Sequence, residues 1–302
     1  MAIQDKAELV VVAGAGQMGT GIAHGFASSG YRTVLFDISA EQLAKSEASI
    51  KQIIADGVRL GKLEEAEGAA AVGRLTTSTK LTEAAKGANL LVETVTEKLS
   101  IKHDVIREAE TVMAEGALIG TNTSALSVTE IATAAKDPTR VGGLHYFNPV
   151  HKMKLVELVR GIATSDETLA KLREYNDAMN KTTVVVNDAP GLTTSRMSCL
   201  LGNEAMYMLE AGTASAEDID TALRLGFNHP MGPLELGDLT GWDTRLSVLR
   251  YLHSVLGEKF RPCPLIIKMV ASGRYGRKTG HGVYKYENGQ KVPGSGLKVS
   301  VL

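Results

Sequence analysis

The sequence predicts an α/β protein whose first part is a helix-covered sheet and whose second part is all helix. Three observations lead there. Short aliphatic runs alternate with polar, Ala/Glu/Lys-rich stretches through the first part of the chain. The first of these runs feeds a glycine-rich turn. Beyond Asn187-Asp-Ala-Pro190-Gly191 the aliphatic runs nearly stop while helical patterns continue. Strands alternating with helices argue for a parallel sheet covered on both faces. At 302 residues the chain suits two domains, since one domain takes roughly 150 residues.

Taken in order, residues 9–13, 33–36, 89–95, 117–120 and 143–147 read as buried strands, with helices over 41–55 and 101–114. Residues 154–160 and 183–187 read as late strands that finish the sheet, with a helix over 168–180 between them. The first domain is therefore expected at residues 1–187 and the helical one at 188–302. Helices are expected in the second at 192–210, 215–225, 246–256 and 264–272. Ser215-Ala-Glu-Asp supplies a cap and first-turn acids for one of them. The Gly/Pro-rich stretch 226–233 reads as a loop, and 295–302 as a loosely held tail. Trp242 and the cysteines read as packing residues.

Composition narrows the class. Apolar content of 44 % and charged content of 22 % are ordinary for a globular protein. A net charge of −1 offers nothing to nucleic acid or another polyanion. No apolar run reaches the roughly 18–20 residues that span a bilayer, and the N-terminus lacks a secretory core. Cys199 and Cys263 are the only cysteines, which suits a reducing cytoplasm and provides no metal framework.

The turn reads Leu9-Val-Val-Val-Ala-Gly14-Ala-Gly16-Gln17-Met18-Gly19 and opens a helix of small residues. Gly14 allows the tight turn, Gly16 lets a pyrophosphate approach the backbone, and Gly19 lets helix and strand pack closely. Free N–H groups at the helix start, including those of Gln17 and Met18, suit phosphate oxygens. Asp37 ends the second strand where an acid accepts from ribose hydroxyls. No arginine follows to accept a 2′-phosphate, so NAD is favoured over NADP. FAD would use the same turn.

A second constellation lies in His145-Tyr-Phe-Asn148-Pro149-Val-His-Lys-Met-Lys-Leu-Val-Glu157. The Asn-Pro break separates two short apolar runs, and a turn there folds the second beside the first. That brings the Glu157 carboxylate to the His145 imidazole, a proton acceptor suited to neutral pH. Together with a dinucleotide turn, such a pair suggests a dehydrogenase that oxidises an alcohol. The other six histidines have no comparable surroundings.

With these motifs in place, the chain resembles the 3-hydroxyacyl-CoA dehydrogenases, and within them the bacterial short-chain 3-hydroxybutyryl-CoA enzymes. The likeness runs to about residue 286, through Gly14–Gly19, Val92-Glu-Thr-Val-Thr-Glu97, Asn122-Thr-Ser124, Gly143-Leu-His145-Tyr-Phe-Asn148-Pro149, Pro190-Gly191, Gly232-Pro233 and Gly276-Arg-Lys278-Thr-Gly280. The resemblance implies that His145 takes the 3-hydroxyl proton as hydride leaves for NAD, that Glu157 orients the imidazole, and that Ser124 holds the substrate oxygen. It implies that Glu97, Lys102, Asn148 and Lys278 line the NAD pocket. It also implies an acyl-CoA substrate bound between the domains, and a homodimer assembled through the helical domain.

One departure stands out. Where the family carries a substrate-contacting asparagine before an arginine, this chain reads Pro190-Gly-Leu-Thr-Thr-Ser195-Arg196. Ser195 takes the substrate-binding place, since a hydroxyl can still donate to a thioester carbonyl; Asn203, two helical turns on, is the weaker substitute. Lys51, Arg59 and Lys62 are candidates for the CoA phosphates by charge alone. Lysine-dependent β-hydroxyacid dehydrogenases also share the glycine turn and a helical domain, but this chain has no lysine between Lys181 and Lys259. A non-catalytic NAD-binding protein would have no use for Ser124, His145 and Glu157 together. A 3-hydroxyadipyl-CoA or broad-chain enzyme keeps the chemistry and changes the acyl group.

Overall fold

The computed structural model describes residues 4–299. Two units divide between Ala189 and Pro190. In the first, the aliphatic runs become strands β1 Lys6–Ala13, β2 Tyr31–Phe36, β3 Leu75–Ser78, β4 Leu90–Glu93, β5 Leu118–Thr121, β6 Val141–Tyr146, β7 Leu155–Arg160 and β8 Thr182–Asn187. The helices are α1 Gln17–Ser28, α2 Ala40–Arg59, α3 Glu65–Gly73, α4 Leu81–Ala84, α5 Leu99–Glu110, α6 Val128–Ala132 and α7 Asp166–Ala178. The sheet order is β3-β2-β1-β4-β5-β6-β7-β8. The first six strands run parallel in the doubly wound order, with the switch point between β1 and β4. Then β7 runs antiparallel to β6, and β8 runs parallel to β7.

Alternation along the strands builds two cores. Val10 and Val12 face one, with Ile22, Phe26, Ile50, Leu144, Tyr146, Val156 and Leu158. Val11 and Ala13 face the other, with Leu91, Ile106, Ile119, Ile131 and Val141. Since Leu144, Tyr146, Val156 and Leu158 all point one way, the pleat turns His145 and Glu157 to the opposite face.

Strand β3 and helix α3 are among the elements of this unit that escaped the sequence pattern. Strand β3 reads Leu-Thr-Thr-Ser, an edge strand without an aliphatic run, which pairs only with β2. Helix α3 reads EAEGAAAVG and buries only Gly68 and Ala71, so no apolar stripe announces it.

The β6–β7 connection is braced from the residue before β8: the Lys181 Nζ donates to the Val150 and Met153 carbonyls. Against it lies His24, whose Nδ1 is buried with no partner among the described residues and whose ring meets His151 edge-on at 6.2 Å. Burial, then the neighbouring His151 and Lys181, hold His24 down to about 4 from its usual 6.5. An unfolded chain protonates this histidine below pH 6.5 while the fold refuses the proton until about pH 4. This group's contribution therefore falls as pH drops through that window, by at most about 3 kcal/mol given its partial exposure. Urea midpoints at pH 7.5 and 5 should differ more for the parent than for His24→Gln. Equal differences contradict this account.

The second unit holds α8 Thr194–Glu210, α9 Ala216–Gly226, α10 Pro233–Thr240, α11 Trp242–Leu256 and α12 Pro264–Ala271, followed by a small hairpin of β9 Tyr286–Glu287 and β10 Gln290–Lys291. Trp242, Leu246, Leu249, Met206, Phe260 and Tyr284 centre its core. The Gly232-Pro233 pair, read as the end of a loop, instead starts α10, with glycine at the cap and proline at the first helical position. The tail needs correction too. The Gly296 N–H donates to Glu217 (2.8 Å), that of Leu297 to the Val283 carbonyl (2.9 Å), and Leu297 and Val299 pack on the core. Residues 295–299 are thus held by hydrogen bonds and apolar contact; 300–302 lie outside the described residues.

Candidate active site

The glycine turn separates three demands. Gly14 has φ +106°, and a Cβ there would sit 2.9 Å from Thr94. At Gly19 a Cβ would lie 1.7 Å from the Gly14 carbonyl oxygen, so helix and turn touch backbone to backbone. Gly16 differs: a Cβ would meet nothing within 4 Å. That open space, beside the start of α1, is what an approaching pyrophosphate requires.

The helix starts agree. Ser39, Ser127 and Ser165 cap α2, α6 and α7 through their side chains, whereas α1 begins at Gly16 with no side-chain cap and no acid in its first turn. Its first N–H groups, Gln17 and Met18 among them, are left for an outside acceptor. The loop carbonyls are already satisfied: Ser46 Oγ and Gln42 Nε2 donate to Ala15 O at 2.6 and 2.7 Å. Asp37 accepts from the Ala15 N–H (2.8 Å) on one oxygen and from the Ser39 N–H (2.9 Å) on the other. Each oxygen keeps a lone pair for a ribose hydroxyl. These residues fit NAD. Gly16→Val should weaken NAD binding in calorimetry without lowering the melting temperature, because the free protein has room for the side chain; unchanged affinity would place the phosphates elsewhere.

His145 and Glu157 oppose each other directly in the antiparallel β6–β7 register. Side chains so opposed share a face and meet, and His145 Nδ1 lies 2.7 Å from Glu157 Oε2. The carboxylate is fully buried and the imidazole 7 % exposed. A carboxylate can only accept, so Nδ1 carries the proton and Nε2 of the neutral ring holds the free lone pair. Phe147 lies against the imidazole, ring centroids 4.7 Å apart.

Ser124 follows β5, the strand beside β6, in an exposed loop. Ser127 caps the next helix, so Ser124 does not. Glu97 shapes this loop: its Oε1 accepts from Thr123 Oγ1 and from the N–H groups of Ser124 (3.1 Å) and Ala125 (3.3 Å). Asn122 Oδ1 accepts from the Tyr146 N–H (3.1 Å), tying the loop to the strand of His145. Nothing in the sequence marked Thr123 as a partner of Glu97.

The remaining expected residues fall in different places. Asn148 is exposed in the β6–β7 turn, and the Asn148–Pro149 peptide is cis. Lys102, expected in the cofactor pocket, is wholly buried. Lys278 belongs to the second unit, where its ammonium pairs with Asp243 at 2.6 Å. Ser195 is half-buried in the first turn of α8. Asn203 spends its amide on the Arg261 carbonyl and the Cys263 N–H, both at 2.9 Å, which removes it as the substitute. Of the CoA candidates, Lys51 and Arg59 pair with Glu47 and Asp56 on their own helix.

A doubly wound sheet, a phosphate-ready glycine turn and a histidine held in one tautomer by a buried carboxylate define an NAD-dependent dehydrogenase of alcohols. The family models agree. Residues 9–189 match the NAD-binding domain of 3-hydroxyacyl-CoA dehydrogenase, and residues 191–286 match its C-terminal domain. The chain belongs to the 3-hydroxyacyl-CoA dehydrogenase family.

Among its relatives, a 3-hydroxybutyryl-CoA dehydrogenase of Bradyrhizobium diazoefficiens is 41 % identical over 94 % of this chain and 97 % of its own. One from Clostridioides difficile is 38 % identical over 92 % and 99 %. The solved structure of (S)-3-hydroxybutyryl-CoA dehydrogenase from Ralstonia eutropha superposes with a TM-score of 0.89, at 38 % identity, over 94 % of this chain and all of that one.

Proposed function

We propose that this enzyme interconverts (3S)-3-hydroxybutyryl-CoA and acetoacetyl-CoA, with His145 moving the proton. NAD, when bound, supplies the acceptor for the hydride of C3. Nε2 of His145 takes the 3-hydroxyl proton as that hydride leaves, and the Glu157 carboxylate holds Nδ1–H and offsets the charge of the imidazolium. In reverse the imidazolium returns its proton to the forming alkoxide. The hydroxyl of Ser124, in the exposed loop after β5, steadies the substrate oxygen, and Ser195 donates to the thioester carbonyl. Gly14, Gly16, Gln17, Met18, Gly19, Asp37, Glu97 and Asn148 serve the cofactor, and Lys278 is assigned with them on the family resemblance.

The single observation that carries this reading is the 2.7 Å contact between His145 and the buried Glu157. The acyl group rests on the relatives, which are named for 3-hydroxybutyryl-CoA. A dicarboxylic substrate would want a free cation; of the two candidates, Arg196 and Arg245, the second is committed to Ser198 (2.8 and 2.9 Å) and Thr240 (2.8 Å). A homodimer through the helical unit is supported by the exposed Met197, Leu225, Phe227 and Val255. The two free cysteines accord with a reducing cytoplasm, and the substrate with fatty acid metabolism. NADH oxidation with acetoacetyl-CoA, longer 3-oxoacyl-CoA and 3-oxoadipyl-CoA tests the assignment. The highest kcat/KM is expected for acetoacetyl-CoA, and a preference for 3-oxoadipyl-CoA would replace it.

A further inference from the structure

The glycines that open the turn to a pyrophosphate also leave its backbone loose, since glycine gives up the most conformational freedom on folding. Ala15 stands between two of them, Gly14 and Gly16, and is fully buried. Its backbone is held from outside the turn. The Ala15 N–H donates to Asp37 Oδ2 (2.8 Å). The Ala15 carbonyl oxygen accepts from Ser46 Oγ (2.6 Å) and Gln42 Nε2 (2.7 Å), which fills both its lone pairs.

Both of these donors come from α2. Gln42 and Ser46 are four residues apart, so they share one face of the helix. Ser46 is buried, and Thr20 of α1 backs it: Thr20 Oγ1 lies 2.9 Å from Ser46 Oγ and 2.8 Å from the Gly16 carbonyl oxygen. The start of α2 is fixed in turn by Ser39, whose side chain accepts the Gln42 N–H (3.2 Å) and whose own N–H donates to Asp37 (2.9 Å). A trans peptide points its N–H opposite to its carbonyl. Pinning the Ala15 carbonyl to α2 therefore turns the Gly16 N–H away from α2. It also fixes the direction in which the chain enters α1, whose first N–H groups await an acceptor.

We propose that Gln42 and Ser46 are positioning residues for the cofactor: they act on the pyrophosphate through the Ala15–Gly16 peptide, which they hold in its binding orientation. This rests on the reading above that the turn receives the pyrophosphate. Either donor alone holds the carbonyl. With both gone only the Thr20 hydroxyl remains, at 3.3 Å, and its one proton has nearer oxygens to serve. A buried acceptor is then unmatched, and the peptide turns.

The test is binding of NAD⁺, ADP and adenosine to Ser46→Ala, Gln42→Leu and the double variant, by calorimetry for the first two ligands and NMR titration for adenosine. Adenosine keeps the ribose that Asp37 meets and lacks the pyrophosphate. Each single change should weaken NAD⁺ and ADP about 3-fold and the double change at least about 30-fold, because residues sharing one task are not additive. Adenosine should bind all three variants as it binds the parent, a split that general damage to the fold does not produce. An equal loss for adenosine, or unaltered NAD⁺ affinity in the double variant, overturns the proposal. Gln42 and Ser46 also line a cavity of about 430 Å³ that reaches Lys45 and Asn148. A raised KM for acetoacetyl-CoA at parental NAD⁺ affinity would give them to the acyl-CoA and overturn the proposal as well. Should the double variant not fold, the single variants decide by the same comparison: weaker ADP with unchanged adenosine supports the proposal, and any other pattern refutes it. Gly16→Val is the control. If it leaves ADP binding unchanged, the reading of the turn fails and the proposal with it. If it weakens ADP while the double variant does not, only the proposal fails.

Discussion

His145→Gln should lower turnover by about 10²–10⁴-fold, the usual contribution of a positioned base, while leaving NAD⁺ affinity in calorimetry unchanged. Glutamine is the informative replacement. Its amide N–H₂ can still donate to Glu157 Oε2, which the imidazole contacts at 2.7 Å in the parent. The fully buried carboxylate then keeps a partner. Alanine would take this donor from a buried carboxylate, at a cost of about 1–3 kcal/mol, and mix damage to the fold with loss of chemistry. The separation of effects has a structural basis. His145 lies near the end of β6 on one half of the sheet, whereas the glycine turn and Asp37 lie at β1 and β2. Weak NAD⁺ binding with normal turnover would contradict both parts.

Glu157→Gln should lower turnover by about 10²-fold or more, although the side chain keeps its shape and its place on β7. Two things are lost. A neutral amide cannot offset the imidazolium that forms as the proton is taken. An amide can also turn its N–H₂ toward Nδ1, which moves the ring proton to Nε2, the nitrogen needed as acceptor. The parent excludes that arrangement because a carboxylate has no proton to offer. Initial rates in both directions check this, and parental rates would reduce Glu157 to a packing residue.

Much of this was legible in the sequence, and the gaps have physical causes. The β6–β7 pairing could be foreseen because the Asn-Pro break leaves two apolar runs free to pair, and His145 opposes Glu157 in the resulting register. The glycine turn was legible because each glycine answers a separate steric demand, at Gly14, Gly16 and Gly19. Strand β3 and helix α3 were not, since neither carries an apolar stripe. Helix α10 was misread because glycine followed by proline marks a loop and a helix start alike. The burial of Lys102 was hidden for a deeper reason: it depends on Glu93 and on the Asn122 carbonyl beyond the neighbouring strand's end, groups that only the parallel pairing of β4 and β5 brings together. The 295–299 segment looked free because its anchors, Glu217 and Val283, lie elsewhere in the chain.

The most direct examination of the central claim is nitrogen-15 NMR of the His145 ring at a pH where oxidation proceeds. The account requires a single neutral tautomer, protonated at Nδ1 and bare at Nε2, that is lost in Glu157→Gln. A ring protonated at Nε2, or an even mixture of tautomers in the parent, would contradict it.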